Sequence, residues 1–335
     1  MPFAIRFLLT LLLSLTLAAC ATHPIAPQSA PLPDGASSQL TLEMDDGARL
    51  HATWWQPTGT ASAVIVLLHG TSLHGGLYAP WANFLKQRGY AVLAPDLRGW
   101  GQSMGEHTPG YVTDYATHVH DVGRLLAEAR QRHPGRPIYL QGDAMGGTIA
   151  VYSQLTTPTA GQPLPVDGLI LNSPAMRITL FGMPEVISRQ ILWSGAQVGK
   201  MLPDSRAPLV VQADQALRLL IRDPALRQRM LADPLVVKTL PAAYLTGITA
   251  AMRKVEKNLP EVKAPLLVVH GEDDSLIPPS SSQRLIAGIG SSDKTLLIYA
   301  GVGHSTLLDS GHEKPWQDIA DWLDRHVAMG VVQAH

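Results

Sequence analysis

Six short apolar runs recur between residues 63 and 299 of this 335-residue chain: AVIVLL (63–68), AVLA (91–94), PIYLQ (137–141), GLIL (168–171), PLLVV (265–269) and TLLIY (295–299). AVIVLL is a continuous β-branched run, the pattern of a strand buried on both faces, and the others read as strands. Helical stretches lie between them at 78–88, 113–132 and 146–155, with a closing helix at 316–327. Strands that alternate with helices give a mostly parallel sheet with helices on both faces, so the fold class is α/β. Two earlier segments, LTLEM (40–44) and LHATWW (50–55), alternate like paired antiparallel strands.

Residues 176–259 break this rhythm. They hold no convincing strand but several amphipathic stretches, such as PEVISRQILW, opened by Pro184 at a helix's first turn. The stretch reads as a helical cap inserted into a core formed by 39–175 and 260–335, with Leu217, Leu220, Met230, Leu235 and Met252 as the cap's own packing.

The chain begins MPFAIRFLLTLLLSLTLAAC: one basic residue, Arg6, an apolar run over 7–19, then Cys20. Thirteen residues are fewer than the ~20 that span a bilayer, so 1–19 reads as a cleaved export signal. Leu17-Ala18-Ala19-Cys20 resembles the bacterial lipobox, in which the Cys is lipidated, and Cys20 is the single Cys of the chain. An ordinary secretory signal cleaved near Ala19 is the alternative. Residues 20–38, with Pro24, Pro27, Pro31 and Pro33, read as a tether. The expected location is therefore outside the cytoplasm, in the bacterial cell envelope, with the membrane as a partner through lipidated Cys20. One Cys excludes a disulfide framework and thiolate zinc sites.

Composition removes other classes. The chain carries 26 Lys plus Arg against 27 Asp plus Glu and is 46% hydrophobic, which excludes intrinsic disorder and gives no electrostatic case for nucleic acid. Only 16% of residues are charged, below the ~25% of an average soluble domain, so apolar surface is left for lipid or an apolar ligand.

The chemistry gathers at strand ends. PIYLQ runs into Gly142-Asp143-Ala144-Met145-Gly146-Gly147 and then a helix, the context of the G-x-S-x-G nucleophile elbow, whose glycines relieve a strained and crowded turn. The central residue here is Ala144. PLLVV leads into His270-Gly271-Glu272-Asp273-Asp274, a loop of carboxylates, and TLLIY into Ala300-Gly301-Val302-Gly303-His304, a glycine-flanked candidate base. AVIVLL ends in His69-Gly70-Thr71, where a backbone N–H joins that of the residue after the nucleophile to hold an oxyanion.

In this order and spacing the chain resembles the α/β-hydrolase superfamily, in its monoacylglycerol lipase and lysophospholipase branch. The resemblance rests on HGTSLHGGLYAPWANFLKQRGYAVLAPDLRGWGQSMGE from His69, on GDAMGG, and on HGEDDSLIP paired with GVGHS. It implies an α/β-hydrolase fold with a helical cap, and a small apolar or lipid-ester ligand. It also implies Asp274 as the acid, with Glu272 and Asp273 nearby, His304 as the base, and the amides of Thr71 and Met145 as the oxyanion hole. No cofactor or metal is implied. The departure is Ala144, where the family has its serine. Asp143 is one residue short of the elbow's centre, and Ser72, Ser103, Ser173 and Ser305 lie near the expected site without occupying an elbow. His118 and His120 are two apart on a helix and face different directions, unlike the i, i+4 pairs that bind zinc.

Three readings follow. The first is a lipid-ester hydrolase scaffold of the Ser-Asp-His type, stopped at Ala144 because Ala has no oxygen to attack a carbonyl. The second is a natural pseudoenzyme that binds an acyl chain or apolar metabolite without cleaving it. The third is direct attack by a water held on His304.

Overall fold

A computed structural model describes residues 31–104, 109–112, 114–156, 162–179, 183, 185–201, 208–209 and 213–333. The export signal, Cys20, most of the tether and Pro184 lie outside the described residues.

The main sheet has eight strands. β1 (Ser38–Glu43) and β2 (Arg49–Trp55) form an antiparallel pair at one edge, and β2 runs antiparallel to β4 (Ala91–Pro95). From there β3 (Val64–Leu68), β5 (Ile138–Asp143), β6 (Gly168–Asn172), β9 (Leu266–Gly271) and β10 (Lys294–Tyr299) continue in parallel, giving the order β1-β2-β4-β3-β5-β6-β9-β10. The parallel strands are the unbroken apolar runs, and their side chains alternate between two core layers. Val64, Val66 and Leu68 enter one layer with Leu266 and Val268, while Ile65 and Leu67 enter the other with Leu267 and Val269. Burying an aliphatic side chain of this size contributes roughly 1.5 to 3 kcal/mol, so β3, β5, β6 and β9 are held from both faces, whereas β10 at the sheet edge is only partly buried and leaves Ile298 exposed.

Helices cover those layers. α1 (Ala79–Gln87) buries Trp81, Ala82 and Leu85. α2 (Tyr115–Arg132) starts at Asp114, whose carboxylate accepts the Ala116 N–H at 2.9 Å, an N-cap that satisfies an otherwise orphaned donor. α3 (Met145–Tyr152) is buried along its whole length, which fits its central place behind β5. α8 (Pro279–Gly288) and α9 (Glu313–Gln333) complete the core.

The insertion between β6 and β9 holds α4 (Glu185–Met201), α5 (Ala213–Leu220), α6 (Pro224–Ala232) and α7 (Ala242–Asn258). It also contains a short strand pair, β7 (Pro208–Leu209) with β8 (Leu240–Pro241), in a stretch whose sequence gives no strand signal. Among the described residues, its buried apolar side chains join the layers of the sheet domain. Leu217, Ile221, Met230 and Val236 join the layer of Ile65 and Leu67, while Ile248, Met252 and Val255 of α7 join the layer of Val66 and Leu68. Helical spacing identifies an apolar face but not what it meets, and here it meets the sheet domain. On α4, by contrast, Val186 and Ile187 are exposed, at 80% and 49%.

Candidate active site

The C-terminal ends of β3, β5, β9 and β10 converge, which is where open parallel sheets place their sites. At the end of β5 the chain reverses into α3 through Ala144, at φ 46° and ψ −107°. This is a conformation that residues with a Cβ rarely adopt. The turn is possible because its flanks are glycine. A Cβ on Gly142 would stand 2.4 Å from the Gly146 carbonyl oxygen, and one on Gly146 would stand 2.2 Å from that of Leu68. Main-chain bonds fix the strained residue: Ala144 N–H donates to Asn172 O at 2.9 Å, and Ala175 N–H donates to Ala144 O at 2.9 Å. The Ala144 methyl therefore stands at the apex of the turn with the Met145 amide behind it, at the positive end of α3.

Across the strand ends, His304 Nδ1–H donates to Asp274 Oδ2 at 2.7 Å. The other carboxylate oxygen, Oδ1, accepts from the N–H groups of Leu276 and Ile277 at 2.9 and 2.8 Å. His270 adds a third side: its Nε2 lies 3.3 Å from Asp274 Oδ2 and bonds the Ile277 carbonyl at 2.8 Å, while its Nδ1 meets Ser282 Oγ at 2.7 Å. Burial alone would raise the Asp274 carboxyl, but the charge of His304 and the bonds from His270 and His304 outweigh it and hold the group well below the carboxylate range. Burial likewise disfavours imidazolium at His304, yet the charge and hydrogen bond of Asp274, with a contribution from Asp143, raise its pKa above 6.5. With Nδ1 engaged, Nε2 is the nitrogen left for proton transfer. Glu272 and Asp273 are exposed, and Asp273 pairs with Arg222 at 3.2 Å, so Asp274 is the carboxylate of this loop that meets His304.

The loop after β3 lies over the elbow: a Cβ on Gly70 would be 3.5 Å from that of Ala144. His69 is fully buried, and burial drives its pKa down to about 3, so the ring is neutral. Its Nε2 accepts the Leu97 N–H at 2.9 Å and its Nδ1–H donates to Gly70 O at 2.8 Å. The Gly70 N–H donates to the Tyr78 hydroxyl at 3.1 Å, and that hydroxyl donates to Asp143 Oδ2 at 2.5 Å. Asp143 is thus a tie between elbow and loop rather than a group at the apex. Burial pushes its carboxyl up to about 6, against the charge of His304 and the Tyr78 bond.

Two of the other serines accept backbone bonds. Ser103 Oγ accepts the His51 N–H at 2.8 Å, and Ser305 Oγ accepts that of Leu308 at 3.3 Å. Ser72 and Ser173 both have positive φ, 70° and 39°, and Ser173 is fully buried. His118 is buried against Tyr115, while His120 is exposed beside Asp45, so the two rings point apart. Tyr78, Tyr244 and His270 were not singled out by motif reasoning. Tyr78 lies inside the segment HGTSLHGGLY, and no spacing rule marks it.

Together these groups arrange an imidazole oriented by a buried carboxylate and a strained apex that is followed by the Met145 amide and carries no side-chain oxygen. Comparison with known proteins agrees with the geometry. The model of the family described as Serine aminopeptidase, S33 (Hydrolase_4) matches residues 59–311. Monoglyceride lipase of Homo sapiens is 31% identical over 280 residues, covering 83% of this chain and 86% of that protein. Monoacylglycerol lipase of Mycolicibacterium smegmatis is 28% identical over 283 residues, covering 84% and 95%. A crystal structure of a soluble variant of monoglyceride lipase from Saccharomyces cerevisiae with a substrate analog superimposes with a TM-score of 0.75 at 21% identity, over 90% of this chain and 99% of that one.

Proposed function

The chain belongs to the Hydrolase_4 family, on a monoglyceride-lipase-like α/β-hydrolase scaffold, and from that premise we propose that its site is built for hydrolysis of lipid carboxylic esters, monoacylglycerols or lysophospholipids, through an acyl-enzyme. In that chemistry a serine at position 144 attacks the ester carbonyl, His304 Nε2 takes its proton, and Asp274 stabilises the imidazolium. The Thr71 and Met145 amides hold the oxyanion. With Ala144 the first bond cannot form, so the chain as it stands is inactive or very weak by this route.

The observation that carries the reading is the Asp274–His304 pair at 2.7 Å, standing opposite an elbow that keeps φ 46° without the side chain such a turn exists to present. A lipid ligand also suits the exposed apolar residues Val186, Ile187, Ile191 and Trp193 of α4. The same missing oxygen supports a second reading, a pseudoenzyme that binds an acyl chain or other apolar ligand without turnover. Hydrolysis of monoacylglycerols and p-nitrophenyl acyl esters by the Ala144→Ser variant separates the two. Turnover by the variant and none by the parent supports the hydrolase scaffold, and a folded variant inert on the whole panel leaves the binding protein.

We also propose that the protein is an exported lipoprotein of the bacterial envelope, anchored through Cys20. Cys20→Ala should move it from the membrane fraction to the soluble one, and continued membrane association of a processed variant would contradict the anchor.

A further inference from the structure

The loop that carries the Thr71 amide is held from two sides. From the sheet domain, Tyr78 takes the Gly70 N–H and His69 takes the Gly70 carbonyl. From the insertion, three contacts reach the next residues: Thr71 Oγ1 bonds the Tyr244 hydroxyl at 2.6 Å, the Ser72 carbonyl accepts the Val237 N–H at 2.9 Å, and His74 Nε2 meets Asp233 Oδ2 at 3.1 Å. Tyr244 stands in the first turn of α7, whose later residues Ile248, Met252 and Val255 are fixed in the core layer of β3. Its ring is set edge-on to Trp100 at 5.8 Å, and Trp100 is edge-on to His69 at 6.3 Å. The Tyr244 hydroxyl therefore has a rigid mount, from which it bonds the side chain of Thr71.

We infer that Tyr244 is a positioning residue of the oxyanion hole, through which the insertion sets the direction of the Thr71 amide. An amide stabilises an oxyanion only when its N–H is aimed at the position the charge will occupy, and a donor lost or turned away costs about 10²- to 10³-fold in rate. The Gly70–Thr71 peptide plane sets that aim. His69 holds the carbonyl of that plane, and the Thr71–Tyr244 bond holds the Thr71 Cα on its far side, so the plane is braced at both ends. Tyr244 acts through Thr71, whose side chain it bonds. The inference rests on the hydrolytic reading above.

Two measurements test it. In the chain as it stands, hydrogen exchange of the peptide over residues 67–74 should speed up in Tyr244→Phe and in Thr71→Val, and stay as in the parent in Thr71→Ser, which keeps the hydroxyl. Unchanged exchange in Tyr244→Phe overturns the clamp whether or not any ester is hydrolysed. In the Ala144→Ser background, Tyr244→Phe should lower kcat by about 10-fold, below the cost of losing a whole donor, with KM moved less than about twofold at every acyl length. Thr71→Val should do the same, and the two together should cost no more than the worse of them, because both cut one path. A changed KM or acyl-length preference with kcat intact would make Tyr244 a wall of the pocket and overturn the inference. An inactive Ala144→Ser parent would instead overturn the hydrolytic reading, with the exchange result still deciding the clamp.

Discussion

The two halves of the site are built from different materials. The acid–base half is made of side chains: remove a group from Asp274, His304 or His270 and a buried partner loses its bond. The elbow half is made of backbone, with φ 46° at Ala144 locked by glycine contacts and main-chain hydrogen bonds, and the residue at its apex contributes little to its own geometry. A backbone-built turn survives loss of the atom it presents, whereas a side-chain pair does not. On the hydrolytic reading proposed above, one substitution would silence the reaction while leaving the site assembled.

The comparison breaks most visibly in rate. Ala144→Ser should raise ester hydrolysis on the order of 10⁴- to 10⁶-fold, the scale on which loss of a serine nucleophile acts in subtilisin. Adding Asp274→Asn to that variant should take back about 10⁴-fold, because His304 would lose the group that holds its tautomer. In Ala144→Ser, kcat/KM should fall as pH drops through the His304 pKa, with an inflection above 6.5, and adding Asp274→Asn should move that inflection down, because Asp274 is the main group that raises it against burial.

Stability sharpens the contrast. Gly146→Ala forces a Cβ to 2.2 Å from the Leu68 carbonyl, and should cost at least about 2 kcal/mol in denaturant unfolding, whereas Ala144→Ser should change little. Asp143→Asn separates the tie from the Asp274–His304 pair. The Asp143 carboxyl is raised from 3.8 to about 6 by burial, so its contribution is present below 3.8 and lost as pH rises through 6. The variant should be the more stable one at pH 8 by about 1 to 3 kcal/mol and should lose that margin in acid. The Asp274–His304 pair behaves differently. Asp274 lies below 3.8 and His304 above 6.5, so the pair's stabilisation is complete between those values. It is lost as pH falls through the Asp274 pKa or rises through that of His304. Asp274→Asn should therefore destabilise the fold most near about pH 5.

Much of this was legible in the sequence. The central parallel strands announce themselves because burial on both faces leaves polar residues such as Gln141, Asn172 and His270 only toward their C-terminal ends, and the elbow because only glycine fits at 142 and 146. His304 and Asp274 are readable because each follows a strand end on a short loop. The Thr71–Tyr244 bond spans 173 residues, and no local pattern reports it. The packing of the insertion was equally hidden, since the apolar faces of Met230 and Met252 look the same whether they meet one another or the sheet.

The most direct test of the account is covalent labelling. The Ala144→Ser chain, with and without His304→Ala, is treated with a fluorophosphonate and the adduct located by peptide mass. The account predicts one adduct, at position 144, that disappears with His304→Ala. A folded variant left unlabelled, or labelled at another serine such as Ser173, would contradict it.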